Sequence, residues 1–218
     1  MIEQLAENIF ARRINIPEGN WPLITYLWVT TRYNLYLDAG LGEEAIIELS
    51  KFADPTKPDI CIYSHSHFDH IWGAGVLEHP EIIAHVNFMK HYHGIEQDRI
   101  KYKPLAEGNN EVLLPTRLIS TDTDLDDEIL LLTAPGHTDD GLIVYNKKRH
   151  ILFLGDVAAD EGKDLPEISG SCSTYLSTLK KLRDLDIEFI LCSHRNPEKK
   201  TYLNTLIENA YILLKNCQ

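Results

Sequence analysis

Histidine and aspartate crowd one short stretch of this chain, Ser64-His65-Ser66-His67-Phe68-Asp69-His70, in the order H-x-H-x-D-H. Residues two apart in an extended or turning segment point the same way, so His65 and His67 can aim both imidazoles at one ion. Asp69 and His70, as the loop turns, can address a second ion beside it. Burying three histidines and a carboxylate together without a metal would be costly, which favours ligation over a structural role. Three further residues each follow an apolar run: His137 in Pro135-Gly136-His137-Thr138, Asp156 in Leu154-Gly155-Asp156, and His194 in Cys192-Ser193-His194. His137 would complete a three-histidine site with His65 and His67. His194 would complete a site with Asp69 and His70, and Asp156 has the two oxygens needed to bridge both ions. Two divalent ions roughly 3.5–4 Å apart can share one water and lower its pKa toward about 7, giving hydroxide at neutral pH. Asp156 and Asp69 are thus the residues nearest the chemistry, with Asp69 or water as candidate proton donor to the leaving group. Asp38, in Leu37-Asp38-Ala39-Gly40, is a candidate acceptor for a ligand's other N–H. The set holds no thiolate, so its imidazoles and carboxylates would accept zinc, iron or manganese, with zinc expected as the default. His91 and His93 are expected on the surface or at a pocket rim, and His79, His85 and His150 on the surface.

These residues need strand ends and loops to hold them, and the pattern supplies both. Ile9 to Ile16, Leu23 to Thr31 and Asn34 to Leu37 are rich in β-formers, with turn signals at Pro17-Glu18-Gly19-Asn20 and Asp38-Ala39-Gly40. Between Leu41 and Phe52, apolar residues at Ala45, Ile46, Leu49 and Phe52 predict a helix with one buried stripe. A buried strand is predicted at Asp59 to Tyr63, just before the histidine loop, and another at Ile82 to His85. From about Val112 the theme recurs, with strands at Ile129 to Thr133, Leu142 to Tyr145 and Ile151 to Leu154. A helix bearing Tyr175, Leu176, Leu179 and Leu182, a strand from Glu188 to Cys192 and a terminal helix with Leu203, Leu206, Ile207, Ala210, Leu213 and Leu214 complete it. We expect one domain over 1–218, built of similar halves of about 1–111 and 112–218. Val86 to Leu114 fits neither theme and is expected to mix helix with a mobile loop that shapes a substrate pocket.

Composition narrows the class of partner. A chain of 218 residues, 44% hydrophobic and 25% charged, has the make-up of a soluble domain with a substantial core. A net charge of −12 argues against a nucleic-acid binder, which needs a basic surface. The densest acidic run, Asp122 to Glu128, departs from a calcium loop at its sixth and twelfth positions, Asp127 and Thr133, and reads as a solvated turn. Cys61, Cys172, Cys192 and Cys217 show no metal or disulfide spacing and are expected to be reduced. Met1 to Glu7 has no secretory pattern and no apolar run spans a bilayer, so a cytoplasmic protein acting on a small molecule is expected, with neither membrane nor nucleic acid as partner. A homodimer is the oligomer considered.

Taken together, the H-x-H-x-D-H loop, the P-G-H-T turn, the Gly-Asp after a strand and the terminal Ser-His resemble the metallo-β-lactamase-fold hydrolase superfamily. Asp38 stands where that family carries an aspartate at a strand end. The resemblance covers most of the chain and implies an α/β fold, a four-layer αβ/βα sandwich of two mostly antiparallel sheets flanked by helices, with the metals in a cleft along one edge. A class B1 β-lactamase would have a cysteine ligand, whereas Asp156 fills the bridging position here. The complete ligand set is similar to the glyoxalase II-like thioesterases and to the N-acyl homoserine lactonases, although only one predicted helix follows His194. It implies a dinuclear hydrolase of a small ester, lactone or thioester that uses a metal-bridging hydroxide. The alternative within the fold is an iron-dependent redox enzyme, similar to the persulfide dioxygenases or the di-iron proteins.

Overall fold

In the computed structural model, residues 1–16 and 21–216 are described, in two compact units, Met1–Ser120 and Thr121–Gln218. The expected turn at Pro17 to Asn20, and Cys217, lie outside the described residues.

The first unit is one sheet whose strands lie in chain order: Ile2–Ala6 (β1), Ile9–Ile16 (β2), Trp21–Val29 (β3), Asn34–Leu37 (β4), Asp59–Ile62 (β5), Glu81–His85 (β6) and Arg117–Ile119 (β7). β1 to β4 are paired antiparallel, as meandering connections allow. β4, β5, β6 and β7 are paired parallel, because each connection crosses over the sheet before returning. The expectation of mostly antiparallel pairing therefore does not hold for this sheet, which is evenly mixed. The first crossover contains helix Glu43–Ser50 (α1), whose Ala45, Ile46 and Leu49 are buried as the apolar spacing predicts, whereas Phe52, the fourth residue of the predicted stripe, falls past the helix end and is exposed. Ile46 and Leu49 join Leu27, Tyr36, Cys61, Tyr63, Trp72 and Phe88 in the unit's core. At roughly 1.5–3 kcal/mol for each large apolar side chain, this stripe holds the crossover on the sheet. Asn34 fixes where β5 begins: its amide donates to the Asp54 and Lys57 carbonyls and to Asp59 Oδ1, and its oxygen accepts the Asp54 N–H.

β1 and β7 escaped the sequence pattern. Both are short edge strands with mixed exposure, and neither repeats long enough to show alternation. Because β7 bonds to β6, the first unit runs on to Ser120. Val86 to Leu114 contains the expected helix, Tyr92–Lys101 (α2), between short 3₁₀ turns. Past the last of these turns the segment is tied down by Arg12, which makes a two-pronged contact with Glu107 at 2.7 and 3.0 Å and meets Glu48 of α1 at 2.6 Å.

In the second unit the strands are Thr123–Asp124 (β8), Ile129–Thr133 (β9), Leu142–Asn146 (β10), Ile151–Gly155 (β11), Phe189–Cys192 (β12) and Glu198–Lys199 (β13), ordered β13-β12-β11-β10-β9-β8. Here the antiparallel expectation holds, with β11 and β12 as the parallel exception. Helix Cys172–Arg183 (α3) makes that crossover, and Thr201–Asn216 (α4) closes the unit. Tyr175, Leu176, Leu179 and Leu182 of α3 pack with Leu203, Leu206, Ile207 and Ala210 of α4 in its core. The acidic run is not simply solvated. Asp124 and Asp127 pair with Lys147 and Lys148, Asp126 accepts the Glu128 and Ile129 N–H groups, and Glu128 is buried against the Asn146 amide. No helix among the described residues is long and apolar enough to cross a membrane.

Candidate metal centre

Two parallel strands of the first unit, β4 and β5, end side by side and deliver Asp38 and the histidine loop to the same edge. The loop leaves β5 at Tyr63 and tightens into a 3₁₀ turn at Phe68–His70. Its return is held by the Ala39 N–H, which donates to the His70 carbonyl at 2.6 Å, and by the Trp72 N–H, which donates to that of Gly40 at 3.2 Å. Gly73 passes so close to this turn that a Cβ would fall 2.3 Å from the Ala39 carbonyl oxygen. The imidazoles are consequently packed together: ring centres of His65 and His67 are 4.4 Å apart, and those of His65 and His70 4.2 Å apart. Asp69 Oδ2 lies 3.4 Å from His70 Nε2. His65, Asp69 and His70 are buried, and His67 is half-buried.

Asp38 organises this half. Its Oδ1 accepts the Ser64 N–H at 2.7 Å, while Oδ2 accepts the Ser64 hydroxyl at 3.0 Å and His70 Nδ1 at 2.7 Å. Since the Ser64 hydroxyl proton goes to Asp38, its oxygen accepts His65 Nδ1–H at 3.0 Å. One carboxylate thereby holds the proton on Nδ1 of His70 directly and of His65 through Ser64. Both rings then present the Nε2 lone pair, the form a metal requires. Asp38 adopts a left-handed backbone, φ 63°, that aspartate and asparagine tolerate better than most residues. Asp38 thus accepts the other ring N–H of a ligand candidate, as the sequence led us to expect. The role of Ser64 was missed; its only signal was its place between Tyr63 and the first histidine.

In the second unit β9, β11 and β12 point the same way and end together, each supplying one ligand candidate. Gly155, at φ 55°, makes the left-handed turn that swings Asp156 off β11. Asp156 Oδ2 lies 3.2 Å from His194 Nε2 and 3.8 Å from His137 Nε2, so a single carboxylate oxygen serves both rings. His137 Nδ1 donates to the Glu167 carbonyl at 2.8 Å, which again leaves the lone pair on Nε2. α3 braces two of these loops from behind. The buried Tyr175 donates its hydroxyl to the Val157 carbonyl at 2.8 Å, and Thr178 donates to the Pro135 carbonyl at 2.7 Å. Gly136 is required there, because a Cβ would sit 2.7 Å from Tyr175 Cδ2. The sequence pattern had marked Tyr175 only as core, and Thr178 and Glu167 not at all.

His65, His70 and His137 therefore present their Nε2 lone pairs, and each half adds a carboxylate beside its imidazoles, a donor set that fits zinc, iron or manganese. The nearby cysteines do not join it. Burial pushes the Cys61 and Cys192 thiols far above their ordinary range and keeps them protonated. Three of the remaining histidines have local partners: His85 Nδ1 accepts the Asn87 N–H, His93 meets Gln97, and His150 meets Asp186.

A family model described as the metallo-beta-lactamase superfamily matches residues 23–194 of the chain. Among solved structures, a metallo-beta-lactamase from Hirschia baltica is similar at a TM-score of 0.75 and 15% identity, covering 97% of this chain and 96% of the other. One from Erythrobacter litoralis has the same TM-score and coverage, with 18% identity. The metallo-beta-lactamase FIM-1 from Pseudomonas aeruginosa, solved in a mono-zinc form, has a TM-score of 0.73 and 15% identity over 98% of this chain and 95% of its own. At these identities the likeness carries the fold: mixed α/β, with two sheets and helices.

Proposed function

Because the chain belongs to the metallo-beta-lactamase superfamily, we propose that it is a dinuclear metal-dependent hydrolase of a small ester, lactone or thioester. In this reading His65, His67 and His137 hold one divalent ion, Asp69, His70 and His194 hold the other, and Asp156 reaches both. The observation that carries it is the Asp156 carboxylate, with one oxygen 3.2 and 3.8 Å from two histidine Nε2 atoms. That proximity to two imidazoles supports a carboxylate shared between two ions. Two bound ions would supply an acidified water and a Lewis acid for the oxygen under attack. The chain's own part is orientation. Asp38 and Ser64 fix the tautomers of His70 and His65, the Glu167 carbonyl fixes that of His137, and Asp69 is the candidate to hold a proton for the leaving group.

Zinc is the proposed metal, as the default among the zinc, iron and manganese that this donor set fits, and a small-molecule substrate met in the cytoplasm accompanies the reading. The test combines metal analysis of the protein from its native host with a panel of chromogenic lactones, thioesters and phosphodiesters. We expect two zinc ions per chain, turnover of a carbonyl substrate, and joint loss of metal and activity in Asp156→Ala. Full activity with one ion per chain would overturn the dinuclear scheme. Iron with substrate-dependent oxygen uptake would replace hydrolysis by the redox alternative.

A further inference from the structure

We infer that Arg195 and Tyr202 form a clamp that sets the separation of Asp156 and His194, and with it the affinity for the ion those two ligands share. The inference rests on the metal reading above and adds two positioning residues to it.

The ligands leave different strands, so something must hold one loop against the other. One link is direct: the Glu161 N–H donates to the His194 carbonyl at 3.0 Å. The rest passes through the residue after His194 and the first turn of α4. The Tyr202 hydroxyl accepts the Ala159 N–H at 3.0 Å and Arg195 Nη1 at 2.6 Å. Arg195 Nη1 also donates to the Ala159 carbonyl at 3.2 Å, so both polar groups of that residue are taken. Ala159 lies three residues beyond Asp156, and Arg195 directly follows His194. The guanidinium is itself fixed: Glu198 Oε1 accepts Nε at 3.1 Å and Nη2 at 2.7 Å, and Cζ lies 4.2 Å from the centre of the Tyr202 ring.

A local Arg–Glu pair three residues apart would need none of this, and on a surface it contributes little. Here one planar fork meets a carboxylate, a hydroxyl and a peptide carbonyl at once, which an ammonium on a flexible stem does not reproduce. Burial pushes the Tyr202 hydroxyl up to about 12, so it stays neutral over the working range. The distance being held is the one a metal requires. Two ligand atoms about 2.1 Å from a tetrahedral ion stand roughly 3.4 Å apart, and Asp156 Oδ2 and His194 Nε2 stand at 3.2 Å. Slippage of the loops by half an ångström would spoil that fit.

The test is zinc competition against a chromogenic chelator, on full-length wild-type protein and on Tyr202→Phe, Arg195→Lys and the double variant. Tyr202→Phe keeps the ring beneath the guanidinium and removes the shared acceptor. Each single variant should weaken the ion held between Asp156 and His194 about 10–100-fold, weaken the other ion less, since Asp156 is its one ligand tied to the clamp, and alter the visible spectrum of the cobalt-loaded protein. Because both act through one hydroxyl, the double variant should lose no more than the worse single one. Lys147→Met, which removes a surface ion pair in the same unit, should bind as wild type does. Lower urea stability of the metal-free variants with unchanged affinity for both ions would overturn the clamp, leaving the metal reading intact. A wild-type chain that binds no zinc would instead overturn the metal reading, and the clamp with it.

Discussion

Replacing Asp38 by asparagine separates the orientation of the histidines from their presence. The change keeps size and suits the left-handed backbone at φ 63°, so the main chain is not a confounder. The amide oxygen can still accept the Ser64 N–H, now at 2.7 Å. The NH₂ group then takes the place of Oδ2, which at present accepts both the Ser64 hydroxyl and His70 Nδ1–H. Two charge-assisted bonds of about 1.5–3 kcal/mol each are lost. Rotation of the Ser64 hydroxyl and a change of His70 tautomer recover part of this, so metal-free stability should fall by roughly 1–3 kcal/mol. The recovery harms ligation, since His70 can accept from the new amide only by moving its proton to Nε2, the ligating atom. Ser64, turned to accept from the amide, no longer spends its own proton on residue 38 and can donate it to His65 Nδ1, which releases that ring's tautomer as well. We expect zinc affinity to drop about 10–100-fold, or about 1.4–2.8 kcal/mol, with hydrolytic activity falling alongside. Chelator competition measures the first, urea unfolding of metal-free protein the stability, and initial rates the activity. Wild-type affinity for both ions in Asp38→Asn would refute the tautomer argument even if stability fell as expected.

Two other consequences can be measured directly. Gly136→Ala should cost about 1–3 kcal/mol by overpacking, because the new methyl meets a Tyr175 ring held in place by its bond to the Val157 carbonyl. The displacement moves His137, so zinc content should fall together with Tm, and unchanged zinc binding would show that the loop yields elsewhere. At alkaline pH the buried Tyr36, pushed up to about 12 by burial, stays neutral after the unfolded chain has ionised near 10. Its stabilising share is therefore complete below about pH 10 and lost as pH rises through about 12, by at most about 3 kcal/mol. Urea midpoints across that range should fall less in Tyr36→Phe than in wild type, and an equal fall would contradict the assignment.

The main strands were legible because their apolar runs are long and their ends carry turn residues. Asn34 to Leu37 and Ile129 to Thr133 appear with the predicted bounds, α3 buries the stripe that its spacing announced, and α1 buries its own but for Phe52. β1 and β7 were not legible, since a sheet edge buries too little of a strand to imprint alternation on it. Nor was the parallel pairing of β4 to β7: a strand's sequence records what it buries, not the direction of its neighbour.

For the metal centre the division is similar. Residue types and spacing by themselves determined which side chains can ligate, because imidazoles and carboxylates gathered after strand ends have few other uses. What only tertiary structure decided is the form in which they are presented. The lone pairs of His65 and His70 depend on a carboxylate 27 and 32 positions earlier in the chain, and that of His137 on a peptide carbonyl 30 positions later. The spacing of Asp156 and His194 depends on a tyrosine at the start of the last helix. Such partners are set by where strands end beside one another, and hydrogen bonds between distant residues leave no periodic trace in the chain that makes them.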